Sequence, residues 1–184
     1  MNDDQRFETA IEFVLQNEGG YSDYKDDKGG PTNYGISLRF LQDNNIHIIP
    51  NEKIIDIEDI KELSKEGAKS IYKTFFWNAG YFKILNLQIA TKCLDLAVNM
   101  GVVQANKIIQ RAIAWCNIPI VIDGILGTET ISIINDIDNK NYQNELMTGL
   151  INHAINYYTL IAEEHPDLEK FLKDWVNRAE RKPT

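Results

Sequence analysis

Residues 18–36 read EGGYSDYKDDKGGPTNYGI and interrupt an otherwise helical pattern near the start of the chain. Between residues 19 and 35 lie five of the chain's eleven glycines and one of its five prolines. Glycine, proline, aspartate and asparagine favour turns and are unfavourable inside helices. The stretch therefore predicts a long structured loop or a small hairpin between a first helix and the rest of the fold.

An amphipathic helix is predicted immediately before this segment. Its apolar side chains recur at helical spacing on one face: Phe7, Ile11, Val14 and Leu15. Asp3 and Asp4 precede that face and can cap the N-terminus and complement the helix dipole. We expect the helix to end near Asn17 or Glu18, because the two glycines that follow can adopt the left-handed turn that closes a helix.

Helical periodicity continues after the segment. Ser37 is suited to cap a short helix, and Thr128 is suited to cap a later one. The predicted helices cover residues 38–42, 57–63, 65–76, 87–100, 102–115, 128–137, 142–164 and 168–178. Alternating strand patterns are weak outside the glycine-rich segment and residues 118–122. The sequence thus predicts a mainly α fold of about eight helices.

The charge and hydropathy of the chain exclude several classes of partner. Lys and Arg number 19 against 27 Asp and Glu, which gives a formal net charge of −8. An acidic chain is poorly suited to bind nucleic acid through phosphate contacts, or an anionic membrane surface through a polybasic patch. No apolar run approaches the roughly 18 residues that a membrane span needs, so no membrane insertion is expected.

The length and the N-terminus bear on organisation and location. A chain of 184 residues suits one domain, or one domain with a small appended lobe. Residues 1–6 are polar and acidic and lack the basic and apolar regions of a secretory signal. We expect the protein to be made in the cytoplasm without a recognisable signal peptide, so that work outside would require another route.

No metal site and no cofactor are expected from the motifs. The three histidines, His47, His153 and His165, have neither the HExxH pattern nor the i,i+4 spacing of zinc ligands. Cys93 and Cys116 fall in apolar helical stretches without a CxxC pattern. This setting favours buried, inert thiols, with a disulfide between the two as the alternative.

Two carboxyl groups in unlike environments are predicted around the glycine-rich segment. Glu18 lies at a helix C-terminus, where the dipole disfavours a second negative charge and shielding from water would add to the effect. Asp26 and Asp27 lie in a polar loop, where a carboxylate stays solvated and ionised. A protonated acid opposite an ionised carboxylate is the arrangement that cleaves a glycosidic bond. Ordinary helix-end and turn roles are the competing interpretation.

The order of several motifs is similar to that of a known enzyme family. Residues 18–21 and 27–36 resemble the E-G-G-Y…D-x-G-G-x-T-N-x-G-I signature of glycoside hydrolase family 108. The members of this family are N-acetylmuramidases of the phage-endolysin type, and some of them carry the label "secretion activator". Residues 94–101 resemble the family's D-x-A-V-N-x-G helix. Residues 123–130 and 171–178 resemble the D-G-x-x-G-x-x-T turn and the closing F-x-x-x-W-x-N-R of the associated peptidoglycan-binding region.

The resemblance implies a lysozyme-like helical fold with a glycine-rich active-site loop or small hairpin after the first helix. Residues 1–100 would form a catalytic lobe, and residues 101–184 a helical peptidoglycan-binding-like lobe packed on it as one compact unit. The implied activity is cleavage of the β-1,4 bond between N-acetylmuramic acid and N-acetylglucosamine in peptidoglycan glycan strands.

The resemblance also implies roles for individual residues. Glu18 would be the general acid that protonates the leaving oxygen. A spacing similar to that of phage-type lysozymes selects Asp27 over Asp26 as the carboxylate that stabilises the oxocarbenium-like charge or activates water, and Thr32 would help to hold that water. A slip of one residue leaves Asp26 open. Inverting and retaining outcomes both stay open, because they depend on the separation of the two carboxyl groups.

Five further residues are candidates for substrate contact: Tyr21, Asn33, Tyr34, Asp95 and Asn99. For the first three, packing within a turn is an equal alternative. Asp95 and Asn99 lie four residues apart on one helix face, and they either line the cleft or hydrogen-bond the loop into place.

Two other functions stay open from the sequence. One is a non-catalytic peptidoglycan-binding or secretion-assisting module of the same fold, and the other is an interaction protein of a mobile genetic element. A wall enzyme would act in the periplasm or at the cell wall, after release through a holin or export by a dedicated exporter. The net negative charge leaves wall binding to short-range contacts. Arg178, Arg181 and Lys182 form either a local basic patch or a solvated tail.

Overall fold

The computed structural model describes residues 1–16, 18–23, 30–50, 53–139 and 142–184. Its nine α-helices within these ranges are α1 (Asp3–Leu15), α2 (Leu38–Asp43), α3 (Ile57–Glu62), α4 (Lys65–Phe75), α5 (Leu87–Met100), α6 (Val102–Trp115), α7 (Thr128–Asn139), α8 (Gln143–Glu164) and α9 (Glu169–Glu180). Single 3₁₀ turns cover Trp77–Ala79, Tyr81–Lys83 and Pro166–Leu168. No described helix has the length and apolar content to cross a membrane. The predicted mainly α fold is confirmed.

Helix α1 begins with a cap that the sequence analysis assigned to the wrong residues. The cap is Asn2, whose side chain accepts a hydrogen bond from the backbone of Gln5 while the Gln5 side chain accepts one from the backbone of Asn2. Asp3 and Asp4 follow in the first turn, where their charge complements the helix dipole. The cap therefore lies one residue before the acidic pair.

The end of α1 also differs from the prediction. The helix ends at Leu15, so that Glu18 follows it instead of forming its last turn. Neither Gly19 nor Gly20 has a positive φ, so these glycines do not form the expected left-handed closing turn. Ser37 caps α2 as predicted, by accepting from the backbone of Phe40. Each of these differences concerns a helix end, and ends are the least reliable part of a periodicity argument.

Helix α5 forms the centre of the fold. Every residue from Ile89 to Ala97 is buried, because α5 packs against α1 on one side and against α6 and α8 on others. Helix α8 also packs against α6 and α9. Cys93 is buried in this centre and Cys116 is half-buried, and both are free thiols, so the disulfide alternative is wrong. Lys92 and Asp95 lie in the same buried stretch of α5, so their charged groups need partners inside the protein.

The glycine-rich segment contains a small hairpin. Strand β1 (Thr32–Asn33) pairs antiparallel with β2 (Ile36–Ser37) across a two-residue turn, with Thr32 opposite Ser37. Tyr34 and Gly35, the turn residues, both have positive φ, at 50° and 77°. Positive φ at both central residues is the geometry of a type I′ turn, which matches the twist of the strands it joins. The hairpin tip, at Gly35, lies against Glu18 and Tyr72.

Candidate functional site

The side chain of Glu18 is enclosed by residues from four parts of the chain. Its exposed fraction is 14%. We call the group around it the Glu18 cluster, which consists of Glu18, Gly35, Tyr72, Asp95 and Arg178. The segment after α1, the hairpin, α4, α5 and α9 each contribute to this group, so the predicted shielding of the Glu18 carboxyl from water is present.

The hairpin tip lies directly against the carboxyl group of Glu18. A Cβ atom added to Gly35 would lie 2.3 Å from Oε2 of Glu18 and 2.6 Å from the hydroxyl oxygen of Tyr72. Both distances are far inside van der Waals contact, and the φ of 77° already disfavours a side chain. Glycine at this position therefore permits both the turn and the close approach of backbone to the carboxyl group.

Tyr72 supplies a buried hydroxyl beside the same carboxyl group. Its hydroxyl donates a hydrogen bond of 2.8 Å to the carbonyl oxygen of Tyr34 at the hairpin tip. Burial first, and then the negative charge of Glu18, raise the pKa of the Tyr72 phenol, with the Arg178 cation opposing them. The phenol thus stays a donor at any physiological pH and fastens the hairpin tip to α4.

Arg178 joins Glu18 to Asp95. Its Nη1 atom lies 2.7 Å from Oε1 of Glu18, and its Nε and Nη2 atoms each lie 3.0 Å from Oδ1 of Asp95. The Arg178 side chain is 14% exposed and that of Asp95 is 1% exposed. A planar guanidinium presents its donors along separate edges, so one arginine can bind two carboxylates at once. The Glu18 carboxylate thus has a cationic partner that the sequence analysis did not anticipate.

A buried lysine supports this arrangement from α5. Lys92 is fully buried, and its Nζ atom lies 3.7 Å from Oδ2 of Asp95. It also donates to the backbone carbonyl oxygens of Arg178 and Arg181, at 3.2 and 3.0 Å. Burial lowers the pKa of Lys92, and the Asp95 charge opposes that shift. Because these carbonyls lie at the C-terminal end of α9, the ammonium group satisfies acceptors that the helix leaves open.

Asn99 continues the polar face of α5. Its amide donates a hydrogen bond of 2.5 Å to the hydroxyl of Tyr158 on α8. Burial raises the pKa of Tyr158 to about 12, and the ring lies 5.5 Å from that of Trp175 between centroids. Asp95 and Asn99 therefore link α5 to α9 and α8, whereas the alternative expected for them was a hydrogen bond to the glycine-rich loop.

Of the other predicted site residues, Asn33 and Thr32 bind partners elsewhere in the fold, and Tyr21 is exposed. The buried amide of Asn33 donates to the carbonyl oxygens of Ile60 and Leu63, at 3.0 and 3.3 Å, and so ties β1 to the end of α3. The Thr32 and Ser22 hydroxyls lie 2.8 Å apart, on residues whose backbones also form a bridge. Tyr21 is 44% exposed. Among these residues, Tyr21 has the ring most available to a ligand.

The second proposed catalytic carboxylate, Asp27, and its alternative, Asp26, lie outside the described residues. Within the ranges that the structure covers, no three His, Cys, Asp or Glu side chains are grouped so as to hold a metal ion. The described chemistry of the site is thus a carboxyl group, a phenol donor and a guanidinium.

Two of the three basic residues near the C-terminus are bound within the fold, whereas Lys182 is exposed. Arg178 is bound in the Glu18 cluster, while Arg181 donates to the side chain of Gln16 and lies over the ring of Phe13. Arg178 and Tyr72 are therefore members of the Glu18 cluster that sequence reasoning missed as site residues. A signal was present, because Phe171, Trp175 and Arg178 recur at i, i+4 and i+7 on one face of α9.

A separate pocket of about 310 Å³ lies between α6 and α8. Arg111, His153 and Tyr157 are among its lining residues, none of which belongs to the Glu18 cluster. Burial, followed by the nearby Arg111 charge, lowers the pKa of His153. This concavity is therefore distinct from the carboxyl site.

Two family models match consecutive segments of the chain. The family model described as glycosyl hydrolase 108 matches residues 11–101, which include Glu18, the hairpin and α5. Residues 11–101 belong to the glycosyl hydrolase 108 family. The model described as a predicted peptidoglycan domain matches residues 104–180, which include α6, α8 and Arg178. Glycosyl hydrolase 108 membership supports a glycoside hydrolase, and the second match supports peptidoglycan as its substrate or partner.

A solved structure, entitled "Structure of Brucella abortus SagA", has the same fold. It is 24% identical in sequence and superposes with a TM-score of 0.68. The match covers 94% of this chain and 92% of the other. No curated protein matches the chain. At this identity the likeness establishes the fold, which extends across both the glycosyl hydrolase 108 segment and the peptidoglycan-domain segment.

Proposed function

We propose that the protein is an N-acetylmuramidase that cleaves the β-1,4 bond between N-acetylmuramic acid and N-acetylglucosamine, with Glu18 as the general acid. The observation that carries the proposal is the enclosed carboxyl group of Glu18 within the glycosyl hydrolase 108 segment. A catalytic acid needs a fixed position and restricted contact with water. Gly35, Tyr72 and Arg178 supply that enclosure for Glu18.

The proposed reaction assigns the second carboxylate to Asp27. Glu18 would protonate the leaving oxygen, while Asp27 would stabilise the oxocarbenium-like charge or activate water. Thr32 carries a hydroxyl on the hairpin strand and would help to hold that water. Carboxyl groups about 6.5–9.5 Å apart give inversion, and a separation near 5 Å gives retention. The anomeric configuration of the first product, followed by NMR during the reaction, distinguishes these two outcomes.

Substrate contact is proposed for the exposed ring of Tyr21, with Tyr34 at the hairpin tip. Sugar rings stack on exposed aromatic faces, and the 44% exposure of Tyr21 leaves such a face accessible. The amide of Asn33 is already used inside the fold, which supports the turn-packing alternative for that residue. A Tyr21→Ala variant should raise KM while leaving thermal stability close to that of the wild type.

The activity is tested on isolated peptidoglycan by the release of reducing ends and the identity of the new end. Reduction of the products with borohydride followed by hydrolysis should yield muramitol, because a muramidase leaves N-acetylmuramic acid at the new reducing end. Glucosaminitol instead would identify a glucosaminidase, and an anhydro product would identify a transglycosylase. Either outcome contradicts the proposed specificity. Absence of any new end contradicts the enzyme itself.

A second candidate function, a non-catalytic peptidoglycan-binding or secretion-assisting module, has one specific observation in its favour. The ion pair between Glu18 and Arg178 gives the carboxyl group a structural use that requires no chemistry. Cosedimentation with peptidoglycan measures binding separately from cleavage. Binding by the wild type without new reducing ends would support this second function and refute the first.

The proposed organisation assigns residues 1–100 to catalysis and residues 101–184 to wall binding. With a net charge of −8, attraction to an anionic wall over long distances is absent, so binding would depend on contacts within the cleft and on the second region. Delivery from the cytoplasm to the periplasm or the wall, by a holin or a dedicated exporter, is part of the same proposal.

A further inference from the structure

We propose that Arg178 is a positioning residue for Glu18, so that the peptidoglycan-domain segment completes the active site of the glycosyl hydrolase 108 segment. This inference rests on the proposed function of Glu18. Glu18 lies within residues 11–101, whereas Arg178 lies within residues 104–180. The 2.7 Å contact between the Glu18 carboxyl and the Arg178 guanidinium crosses from one segment to the other.

The backbone around Glu18 does not by itself fix the direction of its side chain. Helix α1 ends at Leu15, so Glu18 lies beyond the last helical turn. Gly19 and Gly20 follow, and a Cβ atom added to either would meet nothing within 4 Å. The local chain therefore offers few packing restraints on the C-terminal side of Glu18. Contacts from the rest of the fold have to hold the carboxyl group.

Arg178 is suited to hold the Glu18 carboxyl because contacts with other buried groups fix its own position. Its Nε atom donates a hydrogen bond to Oδ1 of the buried Asp95, and Nη2 lies 3.0 Å from the same oxygen as part of the ion pair, which leaves Nη1 directed at Glu18. The backbone carbonyl of Arg178 accepts from Lys92. A guanidinium held along one edge can present its other edge in one direction only. The orientation of Glu18 is thus set by α5 through an arginine of α9.

The net charge of this group depends on the proton of Glu18. Glu18 and Asp95 are acidic and Lys92 and Arg178 are basic, so the four formal charges cancel while Glu18 is ionised, and the proton that Glu18 carries as the proposed acid leaves one positive charge. Removal of the guanidinium leaves two carboxyl groups with Lys92 as the cation on the α5 side. Substitution by lysine keeps the charge but places it at one point, which cannot bind Glu18 and Asp95 simultaneously in the same geometry. An Arg178→Lys variant therefore separates positioning from charge.

The test compares Arg178→Lys with a matched variant, Arg6→Lys, in the full chain. Arg6 is also partly buried and donates to the carbonyl oxygens of Phe82 and Leu85, but it lies near the opposite end of α1 from Glu18. We expect Arg178→Lys to lower kcat by about 100-fold with KM nearly unchanged, because a catalytic group displaced by about 1 Å loses about that factor. Arg6→Lys should lower thermal stability and leave kcat unchanged.

Chemical rescue distinguishes a positioning role of Arg178 from a purely structural one. Free guanidinium, added at concentrations that leave wild-type activity intact, should restore part of the kcat of Arg178→Ala. It should leave Glu18→Gln inactive. Wild-type kcat in Arg178→Lys, or an equal loss of kcat in Arg6→Lys, would overturn the positioning role.

If the Arg178 variants do not fold, NMR spectroscopy of proteins that keep Arg178 still tests its contact with Glu18. The Nη1–H NMR signal of Arg178 should shift on the nearly isosteric change Glu18→Gln, because Nη1 lies against that carboxyl group, and stay in place on Glu12→Gln, since Glu12 pairs with Lys65 and Lys69 instead. An unchanged signal in Glu18→Gln refutes the contact. A wild type that releases no reducing ends refutes the proposed function, while the NMR measurement still tests the contact.

Discussion

Replacing Gly35 with alanine should lower both the stability of the fold and the activity, because the new Cβ occupies space that Glu18 and Tyr72 now fill. The added atom would lie 2.3 Å from Oε2 of Glu18 and 2.6 Å from the Tyr72 hydroxyl oxygen. Ordinary van der Waals contact begins at 3.4 Å, so the Glu18 carboxyl has to move by about 1 Å. The perturbation thus acts on the Glu18 carboxyl without changing any ionisable group.

The magnitude follows from three contributions. A side chain in the left-handed region at φ 77° costs about 1–2 kcal/mol. Displacing the Tyr72 hydroxyl from the carbonyl of Tyr34 loses a hydrogen bond worth about 1 kcal/mol. Residual strain in the hairpin adds about 1 kcal/mol. We therefore expect a loss of about 3–4 kcal/mol in the free energy of unfolding, with a decrease of about 100-fold in kcat.

Gly101→Ala is the matched control for backbone strain. Gly101 has φ 83° and ψ 151°, a conformation that is almost confined to glycine and costs another residue about 1–3 kcal/mol. A Cβ at this position would meet nothing within 4 Å. The control should therefore lose stability with no loss of kcat.

The assay combines urea unfolding with the initial rate of reducing-end release from peptidoglycan. Both variants are compared with the wild type at a temperature where all three are folded. Equal kcat values for Gly35→Ala and the wild type would refute the claim that the hairpin tip restrains the Glu18 carboxyl. An equal loss of kcat in Gly101→Ala would attribute the effect to destabilisation alone.

Three further predictions concern the supporting structure. Burial raises the pKa of Asp59, but hydrogen bonds from the backbone N–H groups of residues 56, 48 and 49 outweigh burial and lower the pKa below its ordinary value of 3.8. Asp59→Asn should therefore lower the free energy of unfolding by about 1.5–3 kcal/mol above pH 3.8. Urea titrations should show this difference from the wild type becoming smaller as the pH falls below 3.8. Asn33→Ala should cost about 2 kcal/mol by leaving two carbonyl groups without their donor, with KM unchanged. Burial raises the pKa of Cys93 to about 12, so a thiol reagent should modify Cys116 in the folded protein and Cys93 only after unfolding, as mass spectrometry can measure.

Much of the helical fold could be predicted from hydrophobic periodicity. The predicted bounds of α5 and α6 agree with the structure, because each has a continuous apolar face and Gly101 separates them. The hairpin could be inferred only as one of two options. The two-residue turn requires a positive φ at both Tyr34 and Gly35. The sequence indicates that Gly35 can adopt a positive φ, but it gives no such indication for Tyr34.

The partners of the candidate acid could not be predicted in the same way. Glu18 and Arg178 are brought together by the packing of α1, α5, α8 and α9, and no local pattern encodes that distance. Both sequence interpretations of Arg178, a local basic patch and a solvated tail, place its cation in solvent, since charged residues usually lie at the surface. Asp95 lies in an apolar helical stretch and is buried there, so it needs a partner of opposite charge, but the sequence does not indicate which cation supplies it.

The rate of reducing-end release by Glu18→Gln is the most direct measurement of the central claim. Glu12→Gln is its matched control, because Glu12 is an α1 glutamate whose ion pairs with Lys65 and Lys69 are partly exposed and contribute little to stability. With peptidoglycan binding and folding verified for both, we predict that Glu18→Gln lowers kcat by at least about 100-fold and that Glu12→Gln does not. A Glu18→Gln protein that cleaves peptidoglycan at the wild-type rate would contradict the account.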